Sequence, residues 1–243
     1  MEILSANRKG SWILVSNIRS NVEVVRMGVA AAARRAGRRP EEVTIVAVSK
    51  TRSVEEVREA VAAGLTDFGE NRVQELKEKW SHLQTGLTWH LIGSLQTNKA
   101  RSALEMANLI HSVDREALVL ELAKAAERLN VTPQVLIQVN VSGEESKHGI
   151  DPEGLPDLLR QASATGRLEV RGLMTMAPLY DDPELARPHF RRLRELAGEM
   201  ERLKLPRVEM RHLSMGMSGD YLVAVEEGAT LVRVGTALFG SRQ

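Results

Sequence analysis

The sequence predicts an α/β fold, a single-domain (β/α)8 barrel with an extra N-terminal helix. Three observations carry that expectation. Eight short β-rich runs alternate with segments of helical period, and strict alternation implies parallel strands joined by helical crossovers. The eight units fill roughly 200 residues, close to the ~250 typical of such barrels. No Pro/Gly/Ser-rich linker or charge block divides the chain, so residues 1–243 are expected to form one domain. A doubly wound open sheet is the competing arrangement; the even spacing of the units favours closure.

The leading helix is expected over about 13–37, because Ile18, Val22, Val25, Val29 and Ala33 recur at spacings of three and four. It ends near Gly37, with Arg34, Arg35, Arg38 and Arg39 at its negative dipole end. The run 43–48 is continuous and apolar, which suits a strand buried on both faces. Ser53 opens the next helix with a capping box, since Glu56 stands three residues on. Val54, Val57 and Val61 mark one face of that helix, which spans 54–63 and stops at Gly64. Further strands are expected at 66–69, 88–92, 108–112, 134–140, 168–174, 208–213 and 230–234. Further helices are expected at 71–81, 96–106, 115–129, 152–165, 183–203 and 218–226, with a short helical turn after 235. Asp114 is expected to cap 115–129, whose stripe is Leu118, Leu122, Ala125, Ala126 and Leu129. Asp151-Pro152 gives the start signal of the helix at 152–165.

Composition removes several function classes. Lys+Arg 33 against Asp+Glu 32 gives a formal net charge of +1, so no bulk charge draws the chain to nucleic acid or an anionic membrane. Aromatics at 3% leave little for a base-stacking platform. The absence of cysteine excludes disulfides, thiolate nucleophiles and iron–sulfur clusters. Six histidines show no HxH or HExxH spacing, and no metal site is expected. Arg8 and Lys9 precede the apolar run 12–15, which is shorter than the roughly 7–15 residues of a secretory signal. No stretch approaches the ~20 apolar residues of a membrane span. The expected setting is the cytoplasm.

Barrels of this kind bind ligands at the C-terminal ends of their strands. The first strand runs out at Val48-Ser49-Lys50-Thr51, and alternation puts Val46, Val48 and Lys50 on one face. If that face is the interior, desolvation lowers the lysine pKa and frees its amine for Schiff-base chemistry. The alternative is a lysine that snorkels to solvent. The seventh strand leads into Ser214-Met215-Gly216-Met217-Ser218-Gly219-Asp220, where glycines, hydroxyls and a helix start can cradle an anion. The eighth strand, 231–234, carries Arg233 and is followed by Gly235-Thr236. The loops after strands seven and eight are the habitual phosphate site of the fold; the alternative for each is a Gly-rich turn with a capping serine. Arg233 needs a partner if buried, either a carboxylate such as Glu70 or Glu226 or a ligand acceptor in the barrel mouth. An amine, an anion cradle and a fixed cation suit a phosphorylated aromatic aldehyde, and pyridoxal 5′-phosphate (PLP) is one. Asn71 could reach a ligand oxygen or cap the next helix. The charged loop Glu144-Glu145-Ser146-Lys147-His148-Gly149 reads as a solvated loop or a movable lid, and Asp181-Asp182-Pro183 as a solvated helix start.

At these residues the sequence resembles the PLP homeostasis protein family, PLP-binding proteins grouped with the alanine racemase N-terminal domain. The motifs are VAVSKT at 46–51, FGENRVQE at 68–75, WHLIGSLQTNK at 89–99, SKHGI at 146–150, GLMTMAP at 172–178, LSMGMSGD at 213–220 and VRVGTALFG at 232–240. Seven in order are highly specific and span about 40–240, leaving the first fifteen or so residues unmatched. The resemblance implies a TIM barrel, often monomeric, in which Lys50 holds PLP as a Schiff base. It implies phosphate contacts from Ser214, Gly216, Met217, Ser218, Gly235 and Thr236, with Arg233 facing the pyridine nitrogen and Asn71 beside the ring. It implies a role in vitamin B6 and amino-acid balance, with apo PLP-dependent enzymes as possible recipients and no established catalytic reaction.

Chemistry supports a non-catalytic expectation. Arginine cannot protonate the pyridine nitrogen at neutral pH, so the ring is a poor electron sink. Racemases of this fold that it resembles take a second acid/base from a tyrosine on an added β-domain, which this sequence is not expected to carry. Tyr180 and Tyr221 are not convincing substitutes. The alternatives are a weak PLP-dependent racemase using Lys50 as base, and a cofactor-free Schiff-base aldolase.

Overall fold

The structure is a computed structural model that describes residues 4–6, 12–14, 17–83, 86–144 and 148–241. Two short strands lead, β1 (Leu4–Ala6) and β2 (Trp12–Leu14), paired antiparallel. Helix α1 follows at Ile18–Arg35, so it starts later than the apolar spacing suggested. The reason is local: Asn17 is extended, and its side chain accepts from the Arg19 N–H, which fixes the N-terminus there.

The eight barrel strands are β3 (Thr44–Val48), β4 (Asp67–Glu70), β5 (Thr88–Leu91), β6 (Leu109–Val113), β7 (Gln134–Gln138), β8 (Glu169–Met174), β9 (Val208–Ser214) and β10 (Leu231–Val234). Each pairs in parallel with the next, and β10 pairs with β3. The sheet is therefore a closed barrel, not the open doubly wound alternative. Between and after the strands stand α2 (Val54–Ala62), α3 (Val73–His82), α4 (Ala100–Leu104), α5 (Glu116–Leu129), α6 (Leu155–Ala164), α7 (Arg187–Glu201), α8 (Tyr221–Glu226) and α9 (Thr236–Phe239).

Several boundaries differ from expectation for identifiable reasons. The capping box of α2 forms as read, with Ser53 Oγ accepting from the Glu56 N–H and the Glu56 carboxylate accepting from the Ser53 N–H. Asp114 does not cap α5: the cap residue is Arg115, and the Asp114 carboxylate is taken by the Arg115 guanidinium at 2.5 Å. The helix expected from Pro152 begins instead at Leu155, with Pro156 in its first turn. The segment 96–106 splits into a 3-10 turn, Thr97–Lys99, and the short α4, while 183–203 begins as a 3-10 turn, Pro183–Ala186. The start of the helix expected at 218 is loop, and α8 begins at Tyr221.

Apolar residues form two layers. The larger lies between strands and helices and includes Val25, Phe68, Trp89, Leu118, Leu122 and Phe190. The smaller fills the barrel interior with Val46, Leu109, Leu136, Met174 and Leu231. Register places Arg233 beside Val46, His90 beside Leu109 and Ser214 between Met174 and Leu231, so the interior also holds a polar file. Helix α9 has four residues, too few to cover the β10–β3 seam. Helix α1 packs there instead, against α2, α8 and α9. Among the described residues no helix is long and apolar enough to cross a membrane.

Candidate functional site

A cavity of about 540 Å³ opens at the C-terminal ends of the barrel strands. Lys50, Asn71, Met217, Ser218, Arg233, Gly235 and Thr236 all line it. Ser214 and Gly216 do not.

Lys50 follows the end of β3, between two anchored neighbours. Ser49 is fully buried and donates to Glu70 Oε1 at 2.7 Å. The buried Lys79 ammonium donates to both the Ser49 carbonyl and Glu70 Oε1 at 2.6 Å. Burial raises the Glu70 pKa, and Lys79 and Ser49 offset only part of that rise. On the other side Thr51 takes a left-handed φ of +64°, its N–H donating to Glu75 at 2.9 Å. Lys50 is thus aimed by fixed backbone and lines the cavity.

Arg233 is 4% exposed. Neither carboxylate considered for it is its partner: Glu70 pairs with Lys79, and Glu226 pairs with Arg35 and Arg187 outside the barrel. Arg233 donates to Ser214 Oγ at 2.6 Å and to the Thr175 carbonyl at 2.8 Å. Burial pushes its pKa down to about 10, eased by the charge of Asp220, so it remains a cation at neutral pH.

The loops after β9 and β10 meet through Ser218, whose hydroxyl accepts from the Gly235 and Ala237 N–H groups at 3.1 and 3.2 Å. The Met217 N–H donates to Asp220 at 2.5 Å. The N–H groups of Ser218, Gly219 and Thr236 have no acceptor among the described residues. They are the donors an anion would take. Gly216 shapes this loop from behind, at φ +88°, where an added Cβ would lie 2.5 Å from the Ala224 Cβ. Ser214 faces the barrel interior, its hydroxyl engaged by His111 and Arg233. Its side chain supports Arg233 and does not reach the cavity, because alternation along β9 turns it inward.

Asn71 lines the cavity and does not cap α3, whose cap residue is Arg72. Sequence reasoning missed Ile92, Gly93, Ser94, Gln138, His148, Met176 and Leu179, which complete the wall. The signal was positional: most follow the ends of β5, β7 and β8, where this fold places its ligands. Gly93 permits a close pass, since a Cβ there would lie 2.3 Å from the Asn71 carbonyl oxygen. Gln138 donates to the His148 carbonyl at 3.0 Å. Residues 145–147 of the charged loop lie outside the described residues, as do Arg8 and Lys9. Neither tyrosine lines the cavity: Tyr180 bonds His189 at 3.0 Å, and Tyr221 packs against Gly28 of α1. Among the described residues no three metal-ligating side chains converge. Two of the histidines read as scattered, His90 and His111, are hydrogen-bonded to each other inside the barrel.

The family model for the alanine racemase N-terminal domain matches residues 15–243. A pyridoxal phosphate homeostasis protein of Aquifex aeolicus is 47% identical over 213 residues, 87% of this chain and 92% of that protein. Its namesake in Escherichia coli is 41% identical over 94% of this chain and 98% of that one. Among solved structures, PipY of Synechococcus elongatus with PLP bound is 40% identical, with a TM-score of 0.80 over 92% of this chain and all of that one. An alanine racemase of Clostridium difficile, 14% identical with a TM-score of 0.74, shares the fold, and this chain covers 57% of its length.

Proposed function

The chain belongs to the alanine racemase N-terminal domain family, among the pyridoxal phosphate homeostasis proteins, and from that premise we propose that it binds PLP to carry, buffer or deliver it. The observation that carries this reading is convergence: one amine, one buried guanidinium and the Ser218–Gly235–Thr236 cluster line a single cavity. The residues fit the cofactor. Three backbone N–H groups without acceptors suit its phosphate, and Lys50 is the one lysine lining the cavity among the described residues.

Bound there, PLP supplies an aldehyde and an electron-withdrawing ring. Lys50 Nζ is the amine that would hold that aldehyde. Ser218, Gly219 and Thr236 would bind the phosphate through their N–H groups, with the Gly235 N–H holding the Ser218 hydroxyl in place and Met217 and Asn71 on the wall beside the cofactor. Ser214 and Gly216 act one layer behind, by steadying Arg233 and by letting the loop turn. Arg233 would face the pyridine nitrogen as a donor and leave it without a proton, so carbanion chemistry would gain little from the ring. Such a site holds the cofactor without spending it. Possible recipients are apo PLP-dependent enzymes, and a monomer suffices for this role.

The shared fold favours one second reading, a weak racemase with Lys50 as base. Inversion needs a second proton carrier across the substrate carbon. Among the described residues the titratable side chains on the wall are Lys50, His148 and Arg233. Conversion of L- to D-amino acids by the wild type and not by Lys50→Ala would promote that reading. The main test is to load the protein with PLP, reduce it with borohydride and map the adduct by mass spectrometry. The adduct is expected on Lys50 and absent in a folded Lys50→Ala variant. An adduct mainly on Lys99 or Lys147 would overturn the assignment.

A further inference from the structure

A single file of polar side chains runs through the barrel interior behind the cavity. Arg233 Nη1 donates to Ser214 Oγ at 2.6 Å, and Ser214 Oγ lies 2.9 Å from His111 Nδ1. His111 Nε2 lies 2.9 Å from His90 Nδ1, and His90 Nε2 lies 3.2 Å from Asp67 Oδ1. Ser214 and His111 are fully buried, and His90 is 3% exposed. Asp67 is only partly buried and borders a second cavity of about 570 Å³ at the N-terminal side of the barrel, beside Arg26, Arg34 and Glu41. The file therefore joins the two ends of the barrel.

Its ends fix its direction. A guanidinium only donates, and an ionised carboxylate only accepts. Burial raises the Asp67 pKa, but hydrogen bonds from His90 and Thr66 outweigh it and hold the group below the ordinary range. Burial also pushes His111 well below its ordinary value, aided by His90 and Arg233, so His111 is neutral. His90 then donates from Nε2 to Asp67 and accepts at Nδ1. His111 donates from Nε2 and accepts at Nδ1. Ser214 donates its proton to His111 and accepts from Arg233. Every donor has an acceptor. Were His90 an imidazolium, its Nδ1–H would turn His111 around, and the Ser214 proton would have no acceptor in a dry interior.

We propose that His111, His90 and Asp67 are positioning residues, a one-way hydrogen-bonded wire of two Nε2–H imidazoles that locks Arg233 against the pyridine ring and couples it to the N-terminal cavity. The part concerning the ring rests on the PLP reading; the part concerning the imidazoles does not. Aligned hydrogen bonds polarise one another, so the acceptor at the far end strengthens the grip on Arg233.

The test has two arms. Long-range proton–nitrogen correlation spectra of histidine-labelled protein, before and after PLP loading, are expected to show both imidazoles neutral with the proton on Nε2. An Nδ1–H tautomer or an imidazolium at His111 would overturn the wire. In the second arm, Asp67→Ala is expected to shift the visible band of the PLP-loaded protein and weaken PLP binding roughly 2–30-fold, the range of coupling through such networks. Asp67→Asn keeps an acceptor oxygen, so it is expected to restore both and guards against a misfolded Asp67→Ala. An unchanged band and affinity in a folded Asp67→Ala would sink the coupling. A wild type that never binds PLP would instead sink the functional reading, leaving the tautomers to decide the wire.

Discussion

A methyl group at position 93 would lie 2.3 Å from the Asn71 carbonyl oxygen, far inside contact distance. Gly93→Ala must displace the Asn71 backbone beside the cavity both residues line. The expected result is a stability loss of about 1–3 kcal/mol, as for other overpacked sites, with weaker PLP binding. Denaturant unfolding and a PLP titration check the two effects. Lys50 and Arg233 were legible because each is a lone charge at the end of, or inside, an apolar strand. Ser214 was half legible. The sequence shows a hydroxyl beside a glycine loop, but only the pleat decides that it faces the barrel interior. Gly93, Gln138 and Met176 were illegible for the opposite reason: glycine, glutamine and methionine are ordinary at strand ends, and only closure of the barrel brings them to one wall.

At the scale of elements, local chemistry predicted starts well when the capping group had no rival. Ser53 has none, and both bonds of its capping box form. Ser53→Ala is expected to remove about 0.5–2 kcal/mol, lowering the urea midpoint without moving the site of the borohydride-trapped adduct. Loss of the adduct would mean that α2 reaches the Lys50 loop more directly than its cap does. Asp114 failed as a cap because Arg115 claims its carboxylate, while the same arginine donates to the Leu95 carbonyl at 2.8 Å. Alternating strands and helices were legible from period alone. Their exact ends depended on such side-chain competition, which spacing does not encode.

At the scale of the molecule, the outer wall is tied together around two carboxylates. Glu226 pairs with Arg35 of α1 and Arg187 of α7, both at 2.7 Å. Glu227, 4% exposed, pairs with Arg187, Arg191 and Arg194 at 3.2, 3.0 and 3.3 Å. Arg187 leads in lowering the Glu226 pKa. At Glu227 burial raises it, and Arg191 and Arg187 outweigh that to leave it lowered. A folded-state pKa below the ordinary 4.5 stabilises the fold above that value, and the contribution is lost as pH falls through the lowered pKa. The urea midpoint is expected to hold between pH ~7 and ~5.5 and to fall below ~4.5. Glu227→Gln is expected to be less stable at neutral pH and to flatten the acid limb. An acid limb as steep as the wild type's would remove Glu227 from the account.

The position of α1 also bears on how the chain is made. This helix is made before the barrel strands, yet α8 and α9, which it packs against, are made after the first seven of them. Until then α1, with its buried Val22, Val25 and Val29, has α2 and the 3-10 turn at Pro40–Glu42 to pack on. The β10–β3 pairing likewise joins residues from the two extremes of the barrel. Such non-local closure is slow relative to local folding, and it leaves sticky surface open meanwhile. The cylinder therefore closes only once β10 has been made, and until then the face of α1 that α8 and α9 cover stays open.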